Sequence, residues 1–295
     1  MSSFISVIVN CHNGEKYLEK CISSILNQKY EHFEIIFFDN FSSDNSKKIL
    51  ENFKDERIKY FYSNIKFPLY KARNEAIKKT SGSLIAFLDV DDWWEEDYLS
   101  SKDKFFGNSE YDYFYSNTLV YYEKKKNFKK YKKFSFPDGK IYEYLAKDYF
   151  IIISGLIIKK EIFEKENYFN EKYNIIGDYD LLMRISKYAN AKGFNEPLIN
   201  YRVHKNNFSK LNSKMFFEEY KNWFNKESQS ENLYFQTNKK HFLLKLNQLE
   251  IVYLLYEGKS FNLLSKILKI PKFFLKIKFL LAFFLPLKLI NYLRK

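Results

Sequence analysis

The first 90 residues alternate short apolar runs with amphipathic stretches. Phe4–Val9 is continuously apolar but for Ser6, as a parallel strand buried on both faces requires. Behind it, Tyr17, Leu18, Cys21, Ile22, Ile25 and Leu26 recur at helical spacing, with Asn13 placed to cap that helix. Phe33–Phe38 predicts a second buried strand closing on Asp39, and Ser43 or Asp44 opens a helix that runs to Phe53. Arg57–Tyr62 and Ser83–Leu88 complete four strands, separated by a helix over Tyr70–Lys79 that Thr80, Ser81 and Gly82 break. Strands alternating with short helices predict an α/β fold with a doubly wound, mostly parallel sheet, whose ligands gather at the carboxyl ends of the strands.

Beyond residue 90 the rhythm changes. Tyr111–Tyr122 reads as a strand, the Lys-rich stretch Lys124–Lys133 as a hairpin or loop, and Tyr149–Ile158 as another apolar strand. Asp178–Ala189 places Leu181, Leu182, Ile185, Tyr188 and Ala189 on one helical face, and everything from about Ser209 onward is helical in pattern. Glu231–Gln236 matches the recognition sequence of a widely used viral processing protease; it carries no functional weight and is expected in an exposed linker between helices.

Charge changes the picture more than composition does. The chain of 295 residues carries a net +13, but residues 239–295 hold 11 Lys and 1 Arg against Glu250 and Glu257. The remainder is nearly balanced, which is not the distribution of a nucleic-acid-binding surface, so no nucleic acid is expected as a partner. Cys11 and Cys21 are too few for a disulfide framework, which points to a reducing compartment. Met1–Asn10 reads as a strand rather than a signal peptide.

The candidate chemistry sits at strand ends. Asp39 closes one buried strand, and Asp89, Asp91 and Asp92 close another. Three carboxylates in four residues repel one another unless a cation or donor sits among them, and hard oxygen ligands suit Mg²⁺ or Mn²⁺. The alternative is that Asp91 and Asp92 cap a helix beginning near Trp93 or Glu95. Asp178 opens an amphipathic helix, where a capping role competes with a catalytic one. Asp180 and Arg184 have the spacing of a surface ion pair, and a lone histidine such as His204 is commonly structural.

Taken in order, these pieces resemble the family 2 glycosyltransferases, which have the GT-A fold. The resemblance runs over about residues 4–208. It is carried by Ser6–Leu18, Glu34–Asp39 with Ser42–Ser46, Ala72-Arg73-Asn74, Phe87–Trp93, Gly177–Leu181 with Arg184, and Tyr201–His204. It implies that Cys11, Asn13, Asp39 and Arg73 line the nucleotide-sugar pocket and that Asp89 lies near the ribose. Asp91 would ligate a divalent metal on the diphosphate, with His204 reaching the diphosphate or metal, and Asp178 would be the general base of an inverting transfer. A UDP-sugar is the favoured donor, passing a hexose or N-acetylhexosamine to a glycan or lipid-linked acceptor of a bacterial surface polysaccharide. Three positions depart from the family pattern: Gly177 replaces the usual Glu, Asp39 is followed by Asn40, and Phe67-Pro68 stands where many relatives carry Gly.

Pro271–Lys295 is strongly apolar, but its longest charge-free stretch, Phe279–Leu287, is nine residues and includes Pro286. A spanning helix needs about 20 apolar residues, so the expectation is a basic amphipathic helix lying on an anionic leaflet. The organisation expected is a catalytic domain over 1–208, a helical connector with the exposed linker over 209–238, and a membrane-association region over 239–295. The location expected is the cytoplasmic face of a membrane. Two alternatives stand beside this reading: a catalytically degenerate nucleotide-sugar-binding scaffold, for which Gly177 is the motive, and a sugar nucleotidyltransferase. The latter wants a Gly-rich, Arg-containing phosphate loop that Cys11–Gly14 does not supply.

Overall fold

The computed structural model describes residues 3–257, 261–271 and 273–285. Its centre is a nine-stranded sheet in the order β3-β2-β1-β4-β8-β6-β9-β5, with β7 attached to β6. The strands are β1 (Ile5–Cys11), β2 (Phe33–Asp39), β3 (Ile58–Tyr62), β4 (Leu84–Phe87), β5 (Trp93–Trp94), β6 (Tyr113–Tyr122), β7 (Asn127–Lys130), β8 (Leu156–Lys159) and β9 (Ala191–Val203). β3, β2, β1 and β4 are parallel, as the apolar runs predict. The sheet then becomes mixed: β8 is antiparallel to β4 and β6, while β6 and β9 run parallel over a long register with one irregularity at Ser116/Thr118.

Burial on both faces explains the composition of β1 and β2. Val7, Val9, Ile35 and Phe37 point into a cluster with Leu18, Ile22 and Ile25 of the helix Glu15–Leu26. On the other face Phe87 packs edge-on against Phe163 and Phe169, with ring centroids 5.9 and 5.7 Å apart. At the amino end of the sheet, buried Glu34 ties strands together: it accepts from Ser6 Oγ at 2.5 Å and Ser81 N–H at 2.6 Å, and pairs with Lys59 at 2.5 Å.

Several local expectations change. Asn13 does not cap the first helix: it has φ of 56°, the residue before the helix is Gly14, and no side-chain cap bond forms there. The donors at that end go to the loop after β2 instead, Gly14 N–H to Ser46 Oγ and Glu15 N–H to Asp44, each at 2.9 Å. No helix begins at Trp93; Trp93 and Trp94 form a strand antiparallel to β9, so there is no helix start there for Asp91 and Asp92 to cap. The strand expected over Tyr149–Ile158 is confined to Leu156–Lys159, because Ile153–Gly155 is a 3-10 turn pressed against β9. Asp180–Arg184 is a pair at 3.1 Å, but Asp180 is buried and Arg184 also reaches Glu166, so it is an internal network rather than a surface pair. The Lys-rich stretch is a hairpin, with β7 antiparallel to β6.

The chain divides into two compact units between Val203 and His204. The second is helical, with Ser213–Ser228, Leu233–Glu257, Phe261–Leu268 and Phe273–Phe284 as its main elements. Glu231–Gln236 is largely exposed, as expected, but only Glu231 and Asn232 lie in the link between helices. Its last four residues begin the Leu233–Glu257 helix, and Phe235 is buried in a stack with Phe242 at 5.0 Å, because an aromatic there completes a core with Trp223. That helix also runs unbroken across residues 238 and 239. Among the described residues, no helix is long and apolar enough to cross a membrane. Phe273, Phe274, Leu281 and Phe284 are exposed, while residues 286–295, which include Lys288, lie outside the described residues.

Candidate active site

The parallel register brings the carboxyl ends of β1, β2 and β4 together, and Cys11 and Asp39 are direct register partners. Asp39 is buried; its Oδ1 accepts Ser42 N–H at 2.8 Å and its Oδ2 accepts the Tyr60 hydroxyl at 3.0 Å. Cys11 is also buried, and burial, partly offset by the hydroxyls of Ser46 and Ser42, pushes its thiol up to about 11. Asn13 faces the loop after β2, where its Oδ1 accepts Ser43 N–H at 2.8 Å and its own N–H donates to Ser42 Oγ at 2.9 Å. Gly14 is required where it stands, since a Cβ would come within 2.8 Å of both Cys11 Sγ and Val90. The two loops are thereby zipped into one rim. Asn40 completes it: its amide accepts from Phe67 N–H at 2.8 Å and donates to Phe67 C=O at 2.9 Å.

The second group lies after β4. Oxygens of Asp89, Asp91 and Asp92 all fall within 4.8 Å of one another. Buried Arg73 donates to Asp89 at 2.5 Å. Asp92 accepts Ser154 Oγ at 2.5 Å and Arg202 N–H at 2.8 Å, and the Arg202 side chain donates to the backbone C=O of Asp91 at 2.8 Å. Burial, followed by the charges of Asp91 and Asp89, pushes the Asp92 carboxyl well above its ordinary range. A compact, hard-oxygen donor set with like charges crowded together is chemically suited to Mg²⁺ or Mn²⁺.

Asp178 lies in the first turn of the helix Gly177–Ile185. Its Oδ1 accepts the Tyr70 hydroxyl at 2.7 Å and its Oδ2 the Tyr149 hydroxyl at 3.1 Å. The Arg73 guanidinium lies 5.0 Å from the Tyr70 ring centroid, so a continuous path runs from Asp89 through Arg73 and Tyr70 to Asp178. His204 belongs to the helical unit; its N–H donates to Asn207 at 2.6 Å and its Nδ1 accepts Asn206 N–H at 3.2 Å. The carboxylate group is formed by Asp89, Asp91 and Asp92 without it.

Sequence reasoning did not find Tyr60, Tyr70, Tyr149, Ser154 or Arg202. Each acts on an acidic residue distant in sequence, and aromatic residues are too abundant in this chain to stand out. Only Arg202 left a signal, as part of Tyr201–His204.

A half-parallel, half-mixed sheet with acidic groups at the end of β4 defines the GT-A class of fold. The chain matches the model "Glycosyl transferase family 2" over residues 6–189, and it belongs to that family. It is 31% identical over 222 residues to Escherichia coli WfgD, a UDP-Glc:alpha-D-GlcNAc-diphosphoundecaprenol beta-1,3-glucosyltransferase, covering 74% of this chain and 83% of that protein. Its fold is similar to S. aureus TarS 1–349 in complex with UDP-GlcNAc (TM-score 0.64, 16% identity, 95% of this chain and 79% of that one). It is also similar to the mannosyltransferase PcManGT from Pyrobaculum calidifontis in complex with GDP-Man and Mn²⁺ (TM-score 0.62, 13% identity, 100% and 84%). The chain spans 32 to 41% of the length of the first curated relatives it matches.

Proposed function

We propose that this chain is an inverting glycosyltransferase that moves a sugar from a nucleoside-diphosphate donor, UDP-linked by preference, to a hydroxyl of a glycan or lipid-linked acceptor. The observation that carries this reading is the Asp89–Asp91–Asp92 cluster at the carboxyl end of β4 in a family 2 chain. Asp91 and its neighbours would hold a divalent cation, which when bound neutralises charge on the leaving diphosphate. Asp178 takes the proton from the acceptor hydroxyl as its oxygen bonds to the anomeric carbon. The carbon–oxygen bond to the diphosphate breaks with its electron pair leaving on the nucleoside diphosphate, and the anomeric configuration inverts. The rim containing Cys11, Asn13 and Asp39 borders the nucleotide. Arg73 lines the same pocket and pairs with Asp89, the residue read as lying near the ribose. The name of WfgD supports a lipid-diphosphate-linked acceptor class.

In the helical unit, Lys276 and Lys278 share one helix with exposed Phe273, Phe274, Leu281 and Phe284, which suits an anionic membrane surface. Residues 1–208 thus act as the catalytic part and residues 239–295 as the membrane-association part. Co-sedimentation with vesicles should rise with anionic lipid and fall in Phe273→Ser/Phe274→Ser; binding indifferent to both would remove the membrane from the proposal.

Thermal unfolding with UDP, dTDP and GDP, each with Mn²⁺ or a chelator, tests the site. Ligand at a hundredfold excess over Kd adds about 2.7 kcal/mol, a shift on the order of 5 °C for a domain of this size. A metal-dependent shift with one nucleotide, lost in Asp91→Ala, is expected. No shift with any nucleotide would refute the metal–diphosphate assignment.

A further inference from the structure

The Asp178 carboxylate is gripped at both oxygens, and the residue before it has no side chain. We infer that Tyr70 and Tyr149 are positioning residues that fix the direction of the Asp178 carboxylate, and that position 177 is glycine because the Tyr70 ring fills the space a side chain would need. This rests on the reading of Asp178 as the base.

The geometry is specific. One phenol meets each carboxylate oxygen, at 2.7 and 3.1 Å, so rotation about the bond joining the carboxylate to the side chain is stopped from two directions. A carboxylate offers about four acceptor sites, so each oxygen keeps capacity for an incoming hydroxyl. The phenols are themselves held. Tyr70 is buried, packs on Phe169 with centroids 5.1 Å apart, and lies under the Arg73 guanidinium. Tyr149 packs edge-on against Tyr179 at 5.1 Å. Burial, and then the charge of Asp178, push both phenols well above their ordinary range, so they stay protonated and serve as donors. The Tyr70 hydroxyl also lies 3.3 Å from Ile175 C=O, but its proton goes to the shorter, charge-assisted contact.

A Cβ at Gly177 would come within 2.4, 2.5 and 2.6 Å of Tyr70 Cδ2, Cγ and Cε2. These are ring atoms near the root of a buried side chain, which cannot swing aside as the tip of a flexible chain would. Any larger residue at 177 therefore displaces Tyr70 and takes its hydroxyl away from Asp178. The missing Glu and the presence of Tyr70 are one arrangement, and Gly177 ceases to be a mark of lost activity.

Two measurements on the full chain test this. The first is a double-mutant cycle in urea at neutral pH, which needs no substrate. Tyr70→Phe should lower the unfolding midpoint in the wild-type background and change it little in Asp178→Ala, which has no oxygen left to accept the phenol. Gly177→Ala should be harmful alone and milder in Tyr70→Leu. Additive effects in both cycles would overturn the inference. The second measures UDP release from UDP-glucose and UDP-N-acetylglucosamine. Tyr70→Phe and Tyr149→Phe should each lower kcat about 10- to 100-fold with donor KM changed less than about twofold, since a disturbed base affects the chemical step and leaves the donor site intact. If Asp178→Asn keeps full turnover, the base reading fails. If Asp178→Asn abolishes turnover while both tyrosine variants keep wild-type kcat, the base reading stands and the positioning inference fails alone.

Discussion

Glu34 offers a stability test that can be worked from the structure. Its side chain is only 2% exposed at the amino end of the parallel strands, yet it is charged. Burial alone would raise its carboxyl, but the ion pair with Lys59 and the bonds from Ser6 and Ser81 outweigh it and hold it at about 2, against an ordinary value of 4.5. At about 1.4 kcal/mol for each tenfold change in proton affinity, that difference amounts to about 3 kcal/mol. Lys59 is half exposed and solvent screens its part, so about 2–3 kcal/mol is the expected contribution. The folded carboxyl binds its proton less readily than the unfolded one. The stabilisation is therefore complete above the unfolded value near 4.5 and is lost as pH falls toward 2. Urea unfolding of wild type and Glu34→Gln, followed by tryptophan fluorescence from neutral pH downward, reads the difference directly. The gap between them should be widest near neutrality and close progressively below the ordinary carboxyl range. A gap that stays constant across the acid limb would refute the reasoning, because the loss would then come from packing rather than from the charge.

Other expectations follow from single contacts. Asn40→Ala removes both amide bonds to Phe67 and should cost about 2 kcal/mol, seen as a fall of roughly 4–8 °C in Tm; an unchanged Tm would show that the rim holds without them. Cys11 and Cys21 are both buried and both thiols are pushed up by burial, so iodoacetamide at mildly alkaline pH should leave the native chain unmodified and alkylate both after unfolding, read by mass spectrometry. The protease whose recognition sequence matches Glu231–Gln236 should leave the folded chain intact, since Phe235 is buried and the segment runs into a helix; rapid cleavage of native protein would contradict that placement.

The parallel strands and the acidic cluster were legible because they are local. Burial on both faces writes itself as an unbroken apolar run, and carboxylates crowded within four residues need a partner wherever the chain goes. What stayed hidden is the pairing of distant side chains. Two departures from the family pattern, Asn40 and Phe67, turn out to be each other's hydrogen-bond partners across 27 residues. The third, Gly177, is matched by Tyr70, whose hydroxyl reaches Asp178 across 108 residues. Read singly, each looked like a missing group; in space each is half of a contact. The short strand at Trp93 was missed for a similar reason: its partner, Asn200 and Ile199 of β9, lies far down the chain.

The support of Asp92 also has a consequence in time. Its two partners, Ser154 and Arg202, follow it by 62 and 110 residues. On a ribosome adding about 5–20 residues per second, Asp92 is made roughly 5–20 s before Arg202 exists. Until then the acidic corner lacks a donor it needs, and the long β6–β9 ladder cannot form. Pairing across such separations is slow to begin and assembles late. The nascent unit therefore spends those seconds with its first four strands made and its acidic corner unbalanced, and synthesis of β9 is the event that lets the site close.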